Sequence, residues 1–238
     1  MPAQSVWSAL ASRWEELFPL QSSRLEMCRR LTPPSGSVLD AGCGTGSLVR
    51  ALLAGERDAW GFDLDPRFVE EAHERLGARA AHVVQGDLRG IDAVFAGKSF
   101  DLIVCLGQTF PHLLEDADVH DFLSGARSRL APGGRLLLQV VSDENVPMER
   151  RLPTLEIDGL RLDRRRLLES ADRAHLELRV SSSAGFASWT VEHRRWTPSS
   201  LSEAASGAGL RAIGTWLDES GAAWNGTGAG WILELERA

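Results

Sequence analysis

The chain has 238 residues and a net charge of −7, with 43% hydrophobic and 25% charged residues. This composition is typical of a folded globular domain and excludes a disordered chain. The acidic balance also disfavours a nucleic-acid-binding surface, so we expect no nucleic-acid partner.

The N-terminal stretch and the cysteines set the expected compartment. Glu15 and Glu16 interrupt the apolar pattern near the N-terminus, so we predict no signal peptide. No apolar run approaches the ~20 residues that span a bilayer, so we expect no membrane partner. Cys28, Cys43 and Cys105 lack disulfide or zinc-ligand spacing, which predicts neither a disulfide framework nor a metal site. A cytoplasmic protein is the simplest expectation.

The first half of the chain predicts helices followed by an alternating α/β pattern. Helical periodicity covers about residues 4–31, is split at Pro19, and gives a helical cap over residues 1–35. Strands and helices then alternate over residues 37–142, which predicts a parallel sheet with right-handed crossovers. The predicted strands are 37–41, 59–63, 81–85, 100–106 and 135–141, and the predicted helices are 47–54, 66–76 and 119–130.

The pattern changes near residue 150. Strand-like runs with no helix between them predict an antiparallel insert over residues 150–196, with strands at 154–158, 161–168, 175–180 and 186–196. Residues 197–238 then supply a closing helix that ends near Gly207 and two strands, 210–217 and 231–236.

Alternation along the third insert strand separates two faces. His175, Glu177 and Arg179 share one face, and Leu176, Leu178 and Val180 share the other. We interpret the arginine run 164–166 as a solvated strand edge. Because the insert follows the fifth strand, we expect it to cover a ligand at the carboxyl edge of the sheet.

A glycine-rich turn follows the first strand of the alternating region. Residues 38–46 read VLDAGCGTG, which places glycines at alternate positions, Gly42, Gly44 and Gly46, between a buried strand and a helix. Glycines allow a tight turn and a close approach of backbone to ligand. The spacing differs from the GxGxxG of dinucleotide-binding proteins and from the phosphate-binding P-loop, which favours a ligand without a pyrophosphate. An ordinary glycine-rich turn is the alternative.

Two acidic residues follow the next strands in order. Asp63 ends the second strand about twenty residues beyond the glycines, where an acid can accept hydrogen bonds from ribose hydroxyls. Asp65 is instead predicted to cap the following helix, with Pro66 at the first helical position. Asp87 ends the third strand, where it can accept from an adenine amino group, although Gly86-Asp87 is also ordinary turn chemistry.

Together these residues resemble the class I S-adenosylmethionine-dependent methyltransferase superfamily over residues 37–142. The resemblance implies a Rossmann-like, doubly wound, mostly parallel seven-stranded sheet. It implies that Asp40 and the glycines hold the methionine part of S-adenosylmethionine, Asp63 the ribose and Asp87 the adenine. The implied cofactor-binding set is completed by Trp14, Cys43, Leu64, Gly86, Leu88, Leu106 and Gly107.

The stretch after the fourth strand carries a finer resemblance. Residues 105–113 read CLGQTFPHL and are similar to the matching stretch of glycine N-methyltransferase and its bacterial small-molecule relatives. Relatives that bind glycine place an arginine just after the fifth strand, where this chain has Val140-Val141-Ser142. They also use tyrosine hydroxyls, and this chain has no tyrosine, with Trp14 at the matching N-terminal position. We therefore predict that glycine is a poor acceptor.

Few residues are candidates for acid–base chemistry. His112 follows the fourth strand and is the candidate general base, with Gln108 as a second candidate beside it. The alternative is that His112 is a loop histidine bonded to backbone. Methyl transfer does not require a base if the protein holds the acceptor in line with the methyl group. His193 has a weaker claim and is predicted to be a surface or sheet residue. Trp14 and Trp189 either face a cationic or apolar acceptor or fill the core.

The predicted function is methyl transfer from S-adenosylmethionine to nitrogen or oxygen of a small molecule. A nucleic-acid or protein methyltransferase is an alternative, although the segment after the fourth strand lacks the Asn/Asp-Pro-Pro-aromatic signature of base-amine methylation. A non-catalytic protein that binds adenosylmethionine is the other alternative. A homodimer is left open.

Overall fold

The computed structural model describes residues 5–141, 148–226 and 230–238. Its strands are β1 (Ser37–Ala41), β2 (Asp58–Asp63), β3 (Val83–Gln85), β4 (Phe100–Cys105), β5 (Leu130–Val141), β6 (Glu149–Ile157), β7 (Leu160–Leu168), β8 (Arg173–Ser182), β9 (Gly185–Arg194), β10 (Leu210–Trp216) and β11 (Gly230–Arg237). Its α-helices are α1 (Val6–Leu10), α2 (Trp14–Leu17), α3 (Ser22–Leu31), α4 (Ser47–Ala54), α5 (Pro66–Leu76), α6 (Ile91–Val94), α7 (Asp116–Arg129) and α8 (Pro198–Gly207).

Seven strands form the main sheet, in the order β10-β11-β5-β4-β1-β2-β3. The pairs β1–β2, β2–β3, β1–β4 and β4–β5 are parallel, whereas β11 runs antiparallel to both β5 and β10. The strand order reverses between β1 and β4, and ligands bind at such a switch point beyond the carboxyl ends of the strands. The predicted doubly wound, mostly parallel seven-stranded sheet is confirmed.

The sheet is buried on both faces because its central strands carry almost only apolar side chains. Residues of β1, β4 and β5 such as Leu39, Ile103 and Leu136 pack in one cluster with α7, and Val38, Leu102 and Leu137 pack in the other with α3 and α4. Strands buried on both faces read as continuous apolar runs, which is why these strands are recognisable from the sequence.

Helices α5 and α8 begin with ordinary capping chemistry. Asp65 accepts from the backbone N–H of Arg67 at the start of α5, with Pro66 at the first position, as predicted. Thr197 and Ser200 form a reciprocal capping box at the start of α8. The N-terminal helical segment is interrupted near Pro19, as predicted. It is also interrupted by a 3₁₀ turn at Ala11–Arg13, so the first predicted helix consists of two short helices, α1 and α2.

The insert is a separate antiparallel sheet of order β6-β7-β8-β9, which confirms the predicted meander. Leu162, Leu176 and Leu178 on its inner face pack against Val6 and Leu10 of α1 in one cluster. The outer face of β8 carries His175 and Arg179, as the alternation predicted. The insert and the N-terminal helices therefore share one apolar core.

Several predicted boundaries were wrong. β6 begins at Glu149 rather than at residue 154, and β5 begins at Leu130, before the turn at 132–134, because Leu130 already pairs with Phe100 ahead of a register shift. Residues 81–82 belong to a 3₁₀ turn (Gly77–His82), and helix α6 was not predicted. For the strands, the reason is that short segments take their structure from pairing partners distant in sequence.

The arginine run was also misplaced. β7 lies inside the insert sheet, between β6 and β8, and is not an edge strand. Arg166 is buried, at 5% exposed, and Arg164 is half-buried with its guanidinium 5.4 Å from the ring centroid of Phe18. Only Arg165 faces the charged outer surface, where it pairs with Glu177. Across the described residues, no helix is long and apolar enough to cross a membrane.

Candidate active site

The turn after β1 is held in a conformation that glycine permits. Gly42, Gly44 and Gly46 all have positive φ, at 80°, 53° and 71°. A Cβ on Gly42 would lie 2.4 Å from Cγ2 of Thr109, so the turn packs directly against the segment after β4. A Cβ on Gly44 would lie 3.4 Å from Nε1 of Trp14, which brings the N-terminal cap over the same turn.

Asp63 ties the glycine turn to the end of β2. Its carboxylate accepts from the backbone N–H of Gly44 at 2.8 Å and from that of Asp65 at 3.0 Å. Burial raises the pKa of Asp63, and these two N–H donors oppose that rise. A carboxylate fixed by backbone donors beside the glycine turn is suited to accept hydrogen bonds from a ligand's hydroxyls.

Asp65 has a different role. Its carboxylate accepts from the hydroxyls of Ser5 and Ser8 and from the backbone N–H of Arg67. Burial raises its pKa, but the hydrogen bonds from Ser8 and Ser5 lower it on balance. Asp65 therefore caps α5 and fastens α1, consistent with its prediction as a helix cap.

Asp40 lies at the end of β1 and is 8% exposed. Burial raises the pKa of its carboxyl to about 7, Arg24 opposes the rise, and Asp63 adds to it. A buried carboxyl at this strand end gains from a cation placed beside it.

The residues after β3 lie at the same carboxyl edge of the sheet as Asp40 and Asp63. The backbone N–H of Gly86 donates to the carbonyl of Asp63 at 3.0 Å, and a Cβ on Gly86 would lie 2.8 Å from Val94. Asp87 accepts from the backbone N–H of Arg89 and pairs with its guanidinium, whose hydrogen bonds lower the pKa of Asp87. Leu88 is buried, whereas Leu64 is 63% exposed, so Leu64 leaves far more apolar side-chain surface open to a ligand than Leu88 does.

Two consecutive residues in the segment after β4, Gly107 and Gln108, have positive φ angles. Gly107 has φ 71°, with no atom within 4 Å of an added Cβ, and its N–H donates to Oε1 of Gln139 at 2.7 Å. Gln108 also has a positive φ, 68°, which is uncommon for a residue with a side chain. Oε1 of Gln108 accepts from Nη2 of Arg166 at 3.0 Å. Leu106 is buried, and its carbonyl accepts from the Thr109 hydroxyl.

Two histidines meet beside this segment. Nε2 of His112 lies 3.4 Å from Nε2 of His193, and the ring centroids are 4.5 Å apart. Burial lowers the pKa of His112 to about 4. Burial, with the charges of His112 and Arg166, lowers the pKa of His193 to about 3. Both imidazoles are therefore neutral near pH 7.

His193 was predicted to be a surface or sheet residue, and the structure places it in a sheet, but buried and not at the surface. It is 4% exposed and lies on β9, in register with Ala174 of β8. The proximity of His193 to His112 could not be predicted from the sequence, because 81 residues separate the two and only the packing of the insert brings them together. No local sequence signal marks such a pair.

Glu15 was also missed as a site residue. Its carboxylate accepts from the Thr45 hydroxyl at 3.0 Å and from both terminal nitrogens of Arg50, at 2.9 and 2.6 Å. Burial raises the pKa of Glu15, but the Arg50 hydrogen bonds and charge outweigh it, so the pKa is lowered. Glu15 thus anchors α2 to the glycine turn, next to Trp14.

Trp14 and Trp189 are both partly buried against the cluster shared by the insert and the N-terminal helices. Trp14 packs against Trp7, Phe18 and Phe68 beside the glycine turn, with its ring centroid 4.4 Å from that of Phe18. Trp7, which the sequence did not single out, lies edge-on to His112 at 5.7 Å.

Residues 38–134 match the family model described as a methyltransferase domain. One relative, the glycine/sarcosine N-methyltransferase of Halorhodospira halochloris, is 34% identical over 104 residues, which are 42% of this chain and 38% of the relative. Three other curated relatives are likewise matched over less than half their length.

Two solved structures share the fold over nearly the whole chain. The CcbJ methyltransferase from Streptomyces caelestis is 19% identical, with 96% of each chain covered and a TM-score of 0.82. CalS10, a Micromonospora echinaspora amino pentose methyltransferase solved with S-adenosylmethionine bound, is 22% identical, with 99% of this chain and 93% of that chain covered and a TM-score of 0.66. Residues 38–134 therefore match a methyltransferase domain, and the chain as a whole shares the fold of these solved methyltransferases.

Proposed function

We propose that this chain transfers a methyl group from S-adenosylmethionine to a nitrogen or oxygen atom of a small molecule. The observation that carries the proposal is the meeting of three segments at one sheet edge. Asp63 bonds to Gly44, Gly42 packs on Thr109, and His112 lies three residues beyond Thr109. These contacts support a site in which the proposed cofactor-binding groups lie beside a candidate acceptor residue.

The residues at this edge fit the cofactor. The three glycines leave the turn open to close approach, and Asp40 supplies a buried carboxyl that would hold the cationic methionine end. Asp63 would accept from the ribose hydroxyls, and Gly86, Asp87 and Leu88 would line the adenine. Trp14, Cys43, Leu64, Leu106 and Gly107 complete the proposed contacts. When bound, S-adenosylmethionine supplies an activated methyl group on a sulfonium.

The protein's own contribution is positioning. The insert and the N-terminal helices share a core that can close the site from solvent, and methyl transfer requires an in-line approach with water excluded. His112 and Gln108 are the proposed acceptor-side residues. His112 stays neutral near pH 7, so it can either accept a proton or donate a hydrogen bond to the acceptor.

The amino pentose methyltransferase among the structural neighbours supports an amine on a small polar molecule as one acceptor class. The glycine/sarcosine relative supports the amine of an amino acid as another. Glycine itself stays a predicted poor acceptor: Val140 is buried and carries no charge, and Ser142 lies outside the described residues. A homodimer remains a proposal.

The test is a turnover screen that measures release of S-adenosylhomocysteine from S-adenosylmethionine with amino sugars, amino acids, phenols and carboxylates. We expect turnover with at least one class and little with glycine. Calorimetry with S-adenosylhomocysteine and with NAD provides the binding control. Binding of NAD without S-adenosylhomocysteine would contradict the proposal, and cofactor binding without any turnover would favour a non-catalytic protein.

A further inference from the structure

The pairing of His112 with His193 joins two distant parts of the chain at the proposed acceptor side. His112 belongs to the 3₁₀ turn Phe110–His112, and His193 lies near the end of β9. Their Nε2 atoms are 3.4 Å apart with the ring planes at 75°, and Trp7 lies edge-on to His112. The insert thus contributes a hydrogen-bonding side chain to the residue proposed to face the acceptor.

The contact allows only two arrangements of protons. A neutral imidazole has one N–H donor and one acceptor nitrogen. Burial lowers the pKa of both rings and keeps them neutral near pH 7, and for His193 the charges of His112 and Arg166 add to that effect. Because Nε2 faces Nε2, one ring must supply the N–H and the other the lone pair. Either His193 donates to His112, or His112 donates to His193.

The surroundings of His193 distinguish the two arrangements. Its Nδ1 atom is buried and has no hydrogen-bond partner within the part of the chain that the structure describes. If His112 were the donor, the single proton of His193 would sit on that Nδ1 as a buried N–H without an acceptor. Buried N–H groups without partners are rare in folded proteins, and unfilled acceptors are less so. The proton of His193 therefore belongs on Nε2.

We propose that His193 is a positioning residue for His112: its Nε2–H donates to Nε2 of His112, which leaves the proton of His112 on Nδ1. This assignment rests on the proposed function for its role in methyl transfer. It gives His112 an N–H on its remaining nitrogen, so His112 orients the acceptor as a hydrogen-bond donor. Transfer then depends on apposition and not on proton abstraction by His112.

Nuclear magnetic resonance tests the assignment without any substrate. Long-range ¹H–¹⁵N correlation spectra of the full chain near pH 7 distinguish protonated from bare ring nitrogens, and single His→Gln variants assign the rings. We expect the proton of His112 on Nδ1 and that of His193 on Nε2. The proposal would be overturned if His112 carried its proton on Nε2 in the unaltered protein. The His112→Gln variant alone identifies the signals of His112, so this outcome does not depend on whether a variant at His193 folds.

Variants at position 193 add a second test. His193→Leu removes the donor, so His112 should shift toward the form with its proton on Nε2, whereas His193→Gln keeps a donating N–H and should keep His112 in the Nδ1–H form. The matched control is His175→Gln, on the outer face of β8, which should leave His112 unchanged. An unchanged His112 in His193→Leu would contradict the proposal.

Kinetics supply the functional readout once an acceptor is identified. In His193→Leu we expect kcat to fall about 2- to 12-fold, the equivalent of one neutral hydrogen bond, with the KM for S-adenosylmethionine unchanged. His193→Gln should recover most of that loss. Calorimetry with S-adenosylhomocysteine on the same sample tests the proposed function separately, because a protein that fails to bind it would contradict the cofactor assignment without altering the tautomer result.

Discussion

The proposed cofactor edge and the proposed acceptor side of this protein, called below the cofactor edge and the acceptor side, are built in different ways. At the cofactor edge, each key group lies at the carboxyl end of its own strand: Asp40 is the penultimate residue of β1, Asp63 is the last residue of β2, and Asp87 lies two residues beyond β3. On the acceptor side, the groups arrive from separate elements, with Trp7 from α1, His112 from the segment after β4 and His193 from the insert.

The difference shows what each side depends on. The cofactor edge depends on backbone conformation and on short hydrogen bonds such as Gly44 to Asp63, 19 residues apart. The acceptor side depends on the core that α1 shares with the insert, and its central contact joins residues 81 apart. Changes at the cofactor edge should therefore act on affinity, and changes in the insert should act on transfer.

Removal of the insert should have the largest effect and separate the two sides, because it should abolish methyl transfer while cofactor affinity is largely kept. Replacing residues 152–195 with a short Gly-Ser linker should abolish methyl transfer, because His193 and the inner face of the insert are lost. Affinity for S-adenosylhomocysteine should stay within roughly tenfold, or about 1.4 kcal/mol, because Glu15 still holds the N-terminal cap on the glycine turn and Asp65 still holds α1. Thermal unfolding verifies folding, and calorimetry measures the affinity. Full turnover, or loss of cofactor binding, would contradict the separation.

Gly42→Ala should damage the cofactor edge most. Alanine at a positive φ costs about 1–2 kcal/mol, and its Cβ would also lie 2.4 Å from Thr109. Binding of S-adenosylhomocysteine should be lost. Gly133→Ala is the matched control, since Gly133 has φ 75° but open space around an added Cβ. It should lose a similar amount of stability from strain alone and keep its affinity; equal affinities for the two variants would argue against a tight fit at Gly42.

Asp63→Ala and Asp65→Ala separate a ligand contact from a helix cap. Loss of the Asp63 carboxylate should weaken S-adenosylhomocysteine binding by about 1.5–3 kcal/mol, as for hydrogen bonds to charged groups. Loss of the Asp65 cap should cost stability of about 1 kcal/mol and leave affinity largely intact. Titration calorimetry and thermal unfolding measure the two quantities. The reverse ranking would show that the ribose lies elsewhere.

Asp40 predicts a pH dependence of binding. Its folded pKa of about 7 lies above the unfolded value of about 3.9, so its contribution to stability is full at low pH and is lost as pH rises through 7. A cationic methionine end favours the ionised carboxyl, so affinity for S-adenosylhomocysteine should rise as pH passes through about 7. Asp40→Asn is expected to flatten that rise. Calorimetry at several pH values around 7 measures the affinity of both proteins. If affinity changed with pH in the same way in Asp40→Asn and in the unaltered protein, Asp40 would not be the group that binds the methionine end.

Glu15→Gln should have the smallest effect. Glu15 is 23% exposed and pairs with Arg50, so its loss should cost about 1 kcal/mol of stability and a few-fold in cofactor affinity. Because its folded pKa is lowered, this contribution is present above the unfolded pKa of about 4.3 and disappears as pH falls through the folded value. Glu16→Gln, at an exposed pair with Arg13, is the control and should change neither quantity. Thermal unfolding and titration at two pH values measure the difference.

Much of the fold could be predicted because its signals are local. Apolar strands, the cap at Asp65 and the glycine turn each take their structure from neighbouring residues, and the parallel sheet follows from the alternation of strands and helices. Boundaries failed where pairing decided them, as at Leu130, whose partner Phe100 lies in another strand.

The sequence by itself determined the sheet, the glycine turn and the order of Asp40, Asp63 and Asp87. Those features rest on backbone conformation and on side chains that end successive strands. Only the tertiary structure decided that Glu15 anchors the cap to the glycine turn and that Arg166 and His193 are buried beside Gln108 and His112. A charged or titratable residue in a strand looks solvent-exposed until the packing of distant elements buries it, because burial belongs to the assembled core and not to the local pattern.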